Sequence, residues 1–156
     1  FSMILFILVG ISFLFIPKLF KDDILSFTIS IIGSVFLFLG TFFFAGVGLT
    51  PYDLYLDEHI FFALNAFRLL VPGLVLYFFV LMRSNVSKKY LIMIFILLFF
   101  TLSYVVYQIV SNSPLTSIEQ MVEQAIIQKI ITFVNIVCMF FLSFAFSERL
   151  KVIKLI

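Results

Sequence analysis

Charge is what this chain has least of. Asp, Glu, Lys and Arg make up 12% of its 156 residues, where soluble domains carry roughly a quarter. Hydrophobic residues reach 64% and the mean hydropathy is +1.29. That excludes a water-soluble fold, which could not bury so much apolar surface. The one cysteine, Cys138, sits inside an apolar run, which excludes an intrachain disulfide and leaves a thiolate metal site without ligands. It reads as a small buried hydrophobe. There is also one histidine, His59. Zinc hydrolases need several, so no metal site is assigned. No Ser-His-Asp or Cys-His arrangement follows from spacing, and no cofactor is called for. Net charge is +2, with the basic residues in short connectors and not in a stripe, so nucleic acid is not an expected partner. Gly46-Val47-Gly48 lacks the strand–helix context of a nucleotide loop and reads as a flexible exit from a helix.

What the chain does have is long apolar runs: 1–16, 24–45, 60–82, 91–110 and 125–146. All but the first approach the ~20 residues that cross about 30 Å of hydrocarbon. The expected fold is an all-α, polytopic transmembrane helix bundle forming a single domain over 1–156. Helices are expected at about 1–17, 24–46, 59–82, 89–110 and 118–147. Thr50 as N-cap, Pro51 at the first helical position and Asp53 at the third predict a short interfacial helix at about 51–57. In the second helix, Ser26, Ser30, Gly33, Ser34 and Thr41 share one side, which lets a neighbouring backbone approach closely.

The connectors alternate in charge. Lys18 and Lys21, then Arg83, Lys88 and Lys89, then Arg149, Lys151 and Lys154 follow the first, third and fifth runs, and the other two connectors hold no Lys or Arg. By the positive-inside rule the basic connectors and the C-terminus are cytoplasmic, and Phe1 is at the outer face. A chain with a cytoplasmic N-terminus then needs a sixth helix upstream, consistent with the start Phe1-Ser2-Met3. Tyr52, Tyr55, Tyr104 and Tyr107 fit the outer headgroup level and Tyr90 the inner one.

Two cations break the pattern. Arg68 and Lys129 fall in the outer halves of helices three and five, at similar expected depths. An unpaired charge there costs at least ~2.5–3.5 kcal/mol on insertion scales. Asp57, Glu58, Asn65 and Arg68 share one side of helix three at 100° per residue. Gln124, Gln128 and Asn135 form a stripe on helix five. The expectation is a polar clasp in which these faces meet, with Arg68 paired to Glu58 or Glu123 and a bend at Pro72. The candidate polar-core or ligand-binding residues are Asp53, Asp57, Glu58, His59, Asn65, Arg68, Glu123, Gln124, Gln128, Lys129 and Asn135. None is assigned a catalytic role.

Gly48-Leu49-Thr50-Pro51-Tyr52-Asp53, with His59, Ala63 and Phe67, and Gln128-Lys129 near the start of helix five, resemble an uncharacterised bacterial and archaeal six-helix membrane family, a domain of unknown function. That family is loosely similar to the DRAM, FRAG and Sfk membrane proteins. The resemblance implies six helices with both ends cytoplasmic, in a prokaryotic cytoplasmic membrane. The residues themselves lead to a non-enzymatic integral membrane protein, a structural or accessory subunit or a lipid-interacting module, with membrane lipids and other membrane subunits as partners. The alternative is a small transporter or lipid-modifying enzyme whose outer pocket uses Asp53, Asp57, Glu58 and His59, with Arg68 as an anion anchor.

Overall fold

Prolines, caps and glycines set the limits of the helices. The computed structural model describes residues 2–51, 53–110 and 118–154. Helix α1 (Ser2–Phe13) stops where Pro17 lacks the N–H that would bond the Phe13 carbonyl. The chain continues as a 3-10 turn, Ile16–Phe20, with Pro17 and Phe20 buried. The stranded carbonyl finds another donor, because Ser34 Oγ bonds Phe13 O at 2.7 Å. Ser34 also lies 2.6 Å from Tyr77 Oη. With its own proton on Phe13 O, it accepts from Tyr77. One serine thus joins three helices.

Helix α2 (Ile24–Leu49) is N-capped by Asp23, which is extended in its backbone and whose carboxylate receives Leu25 N at 3.2 Å. It runs through Gly46 and Gly48 as helix, in place of the expected flexible exit. Its end is closed by Thr50, whose N–H and hydroxyl both reach Gly46 O, at 3.1 and 3.0 Å. Thr50 therefore caps the helix behind it, and a turn over 53–54 follows in place of the expected interfacial helix. Helices α3 (Leu56–Arg83), α4 (Lys88–Val110) and α5 (Ile118–Lys154) complete the bundle. Five segments, the first running Met3–Phe20, are long and apolar enough to cross a membrane. The protein is an all-α, multi-pass membrane bundle.

The α2–α3 pair is the most closely packed. The small-residue stripe predicted on α2 is buried, joined by Gly40 and Gly46. A Cβ on Gly40 would come within 2.9 Å of the Leu70 side chain and 3.2 Å of Ala66 O. One on Gly73 would meet the Leu37 side chain at 2.7 Å and Gly33 O at 3.2 Å. Backbones that approach this closely gain van der Waals contact, which drives helix association where lipid is as apolar as the side chains. Helix α3 continues unbroken through Pro72.

The α4–α5 pair uses a different device. Tyr90, Ile94, Leu97, Thr101, Tyr104 and Gln108 are buried on α4; Ile131, Asn135, Cys138, Leu142, Ala145 and Arg149 are buried on α5. Both sets alternate steps of four and three residues, the spacing of a coiled-coil seam. Thr101 Oγ1 and Asn135 Oδ1, 3.0 Å apart, fix the register midway. Tyr90 and Tyr104 accordingly face the core and not the headgroups. Tyr104 packs edge-on against Phe67 with centroids 4.6 Å apart.

Each helix packs on the next in chain order, and α5 also touches the 3-10 turn. Among the described residues the α3 and α5 backbones do not come into contact, nor do those of α1 and α5. Among the described residues the arrangement is an open horseshoe, fastened at its basic end.

Candidate functional site: an ionic clasp and a lateral cavity

The expected clasp between helices three and five does not form. The buried face of α3 carries Ala63, Ala66, Phe67, Gly73, Leu74 and Tyr77, and Arg68 lies opposite it, exposed. Among the described residues Arg68 has no ion pair or hydrogen bond. The physical reason is rotation: the glycines of α2 and α3 must face one another, which turns the polar side of α3 outward. Arg68 and Lys129 are not level either. Arg83 and Arg149 meet one acidic pair and so mark a common level. At 1.5 Å per residue Arg68 lies about 22 Å from that level and Lys129 about 30 Å. Asp53, Asp57, Glu58, Glu123 and Lys129 are exposed, and Gln124 and Gln128 are half-buried. Asn65 turns its amide back to Phe61 O at 2.8 Å. His59 Nδ1 lies 2.6 Å from Thr50 O, so this nitrogen carries the proton and donates, tying the start of α3 to the end of α2. Of the eleven expected site residues, only Asn135 is buried in the helix bundle.

Charges do come together at the basic end, through residues that charge sorting set aside. Asp23 Oδ2 receives Ser26 Oγ at 2.6 Å and Arg83 Nε and Nη2, each at 3.1 Å. Asp22 pairs with Arg149, whose Nε also donates to Leu19 O at 3.2 Å. Arg149 is 5% exposed and lies over the Phe20 ring at 6.0 Å. Glu148 receives Ser87 N at 3.3 Å. The loop before α2, the end of α3 and the end of α5 are thereby held together. The hydrogen bond from Arg149 holds the Asp22 carboxyl below its ordinary range. The Ser26 hydroxyl, with Arg83 behind it, does the same for Asp23. The sequence carried a signal for this clasp: Asp22, Asp23 and Glu148 are the three acids on the basic side, where repulsion among cations makes an acid informative.

Above the clasp the unfastened helices leave a cavity of about 500 Å³ between α1, α2 and α5, with Leu70 and Leu74 of α3 and Leu97 of α4 at its back. Its lining is almost wholly apolar. The mouth lies between α1 and α5, where Leu5, Val9, Ile136 and Phe140 are exposed. Asn135, Thr132 and Ser143 from α5, Thr41 from α2 and Ser12 from α1 supply its polar points. A second depression runs along Glu119, Val122, Glu123, Ile126 and Ile127, which among the described residues all belong to α5. Among the described residues no group of three or more His, Cys, Asp or Glu side chains could hold a metal ion. Comparison with protein families, with curated proteins and with solved structures finds no match.

Proposed function

We propose that this chain is a non-enzymatic, lipid-interacting membrane protein whose working part is the lateral cavity between α1 and α5. The observation that carries this reading is a space of about 500 Å³, lined by apolar side chains and open sideways between two membrane-spanning helices. A bilayer fills such a space with hydrocarbon, since the walls offer water almost no hydrogen bonds. The volume is that of small-molecule sites. The clasp keeps the mouth from widening at one end, which by the positive-inside rule is the cytoplasmic end.

A photoactivatable diazirine lipid in liposomes tests it. Labelling should concentrate on Val9, Ile136 and Phe140 around the mouth and be weaker at Phe95 and Phe133, which are also exposed but do not line this cavity. Equal labelling at all five positions would sink the proposal.

Arg68 favours a second reading, that of an accessory subunit. A solitary outward cation about 22 Å from the basic end lies well inside the hydrocarbon, where it calls for an anionic group. The reading as an outer-pocket enzyme has less behind it, because Asp53, Asp57 and Glu58 are exposed and the His59 donor is committed to Thr50 O.

A further inference from the structure

Among the described residues the cavity wall holds one buried side-chain amide whose bonding is incomplete. Asn135 is 8% exposed and lines the cavity. Its Oδ1 lies 3.0 Å from Thr101 Oγ1, which is also 2.7 Å from Leu97 O, and its Nδ2 is covered and has no partner, so that a turn of the side chain brings it to a ligand in the cavity. The Thr101 hydroxyl owns a single proton and faces two acceptors. If the proton goes to Asn135, the amide nitrogen is left over. If it goes to Leu97, the amide turns over to donate to Thr101, and the amide oxygen is left over. In both arrangements one amide atom lacks a protein partner, at a cost of about 1–3 kcal/mol where nothing meets it.

We infer that the cavity ligand is a neutral lipid bearing an oxygen function, a hydroxyl or a carbonyl, that completes the Asn135 amide in mid-membrane. This rests on the lipid-cavity reading above and narrows its ligand class. Depth selects the class. Asn135 lies about 21 Å along α5 from Arg149, well inside a hydrocarbon layer of about 30 Å. The ester oxygens of a phospholipid are held at the edges of that layer by the headgroup, out of reach. A molecule without a charged headgroup can carry its oxygen down to the amide. Thr101 positions that amide, and the apolar walls hold the chain.

The test is competition against the photoactivatable lipid by hexadecane, 1-hexadecanol and 2-hexadecanone, with full-length protein in detergent. In the wild type at least one oxygen-bearing probe should compete about tenfold better than hexadecane, the value of one satisfied buried polar atom. The preference should shrink to about twofold or less in Asn135→Leu, or in Asn135→Ala if the leucine variant does not fold. Ketone and alcohol competing alike identifies the free amide nitrogen; alcohol alone identifies the oxygen; each supports the inference. Three probes competing equally in the wild type, as when a buried water completes the amide, overturns it and leaves the lipid cavity standing. A preference that survives without Asn135 overturns it too. No competition by any probe removes the cavity reading along with it.

Discussion

The two ends of this bundle treat charge in opposite ways. At the basic end Asp22, Asp23 and Glu148 are all bonded, and Arg149 is buried among a carboxylate, a carbonyl and an aromatic ring. Toward the other end Asp53, Asp57, Glu58 and Glu123 are exposed and form no salt bridge among the described residues, and Arg68 points away from the bundle. The difference lies in which elements converge. A 3-10 turn, a helix start and two helix ends meet at the basic end, so long side chains reach one another. Toward the other end the packed faces belong to glycine, alanine and phenylalanine, and the charged faces turn outward. Proximity in depth does not pair charges; helix rotation decides.

Four measurements bear on that contrast. Arg149→Ala should have the largest effect, a loss of about 3 kcal/mol of stability in detergent, since it removes charge-assisted bonds made by a buried group. Unfolding in a graded denaturant reads it, and wild-type stability in this variant would mean that the clasp holds nothing. Acidification should remove part of the same stabilisation. The native values of Asp22 and Asp23 are lowered, so their contribution is complete above the ordinary carboxylate range near pH 4 and is lost as pH falls through the lowered native values. Thermal melts should be flat from pH 7 to 5 and drop below about pH 4, with a smaller drop in Asp22→Asn. His59→Ala should cost about 1 kcal/mol through the lost bond to Thr50 O, and limited proteolysis should then cut the α2–α3 turn sooner. Arg68→Ala should stay within about 0.5 kcal/mol of wild type in detergent. A loss above that would show that Arg68 is paired within the chain and erase the contrast between the ends.

Much of the fold was legible because hydrocarbon imposes a length. Runs of twenty apolar residues leave few alternatives to spanning helices, and the helix limits at Ile24, Arg83 and Val110 lie close to those read from the runs. Ser30, Gly33 and Ser34 were readable as a packing stripe from spacing alone. Arg149 was not readable as a buried group, since a basic residue after a membrane helix looks the same whether it is solvated or seals a junction. Tyr77 was hidden among apolar neighbours; its partner Ser34 became apparent only with α2 and α3 face to face. Asn135 was visible as a polar residue, but its Thr101 partner depended on the α4–α5 register.

The sequence by itself determined that the chain is a bundle of membrane-crossing helices and which of its helix faces are small enough for close contact, because burial of backbone polar groups and the thickness of hydrocarbon act on each segment locally. Only the tertiary structure decided that α1 and α5 stay apart, that the clasp lies at the basic end and that Arg68 faces outward. Those outcomes depend on how each helix rotates about its own axis, and that rotation is fixed jointly by the neighbours it packs against.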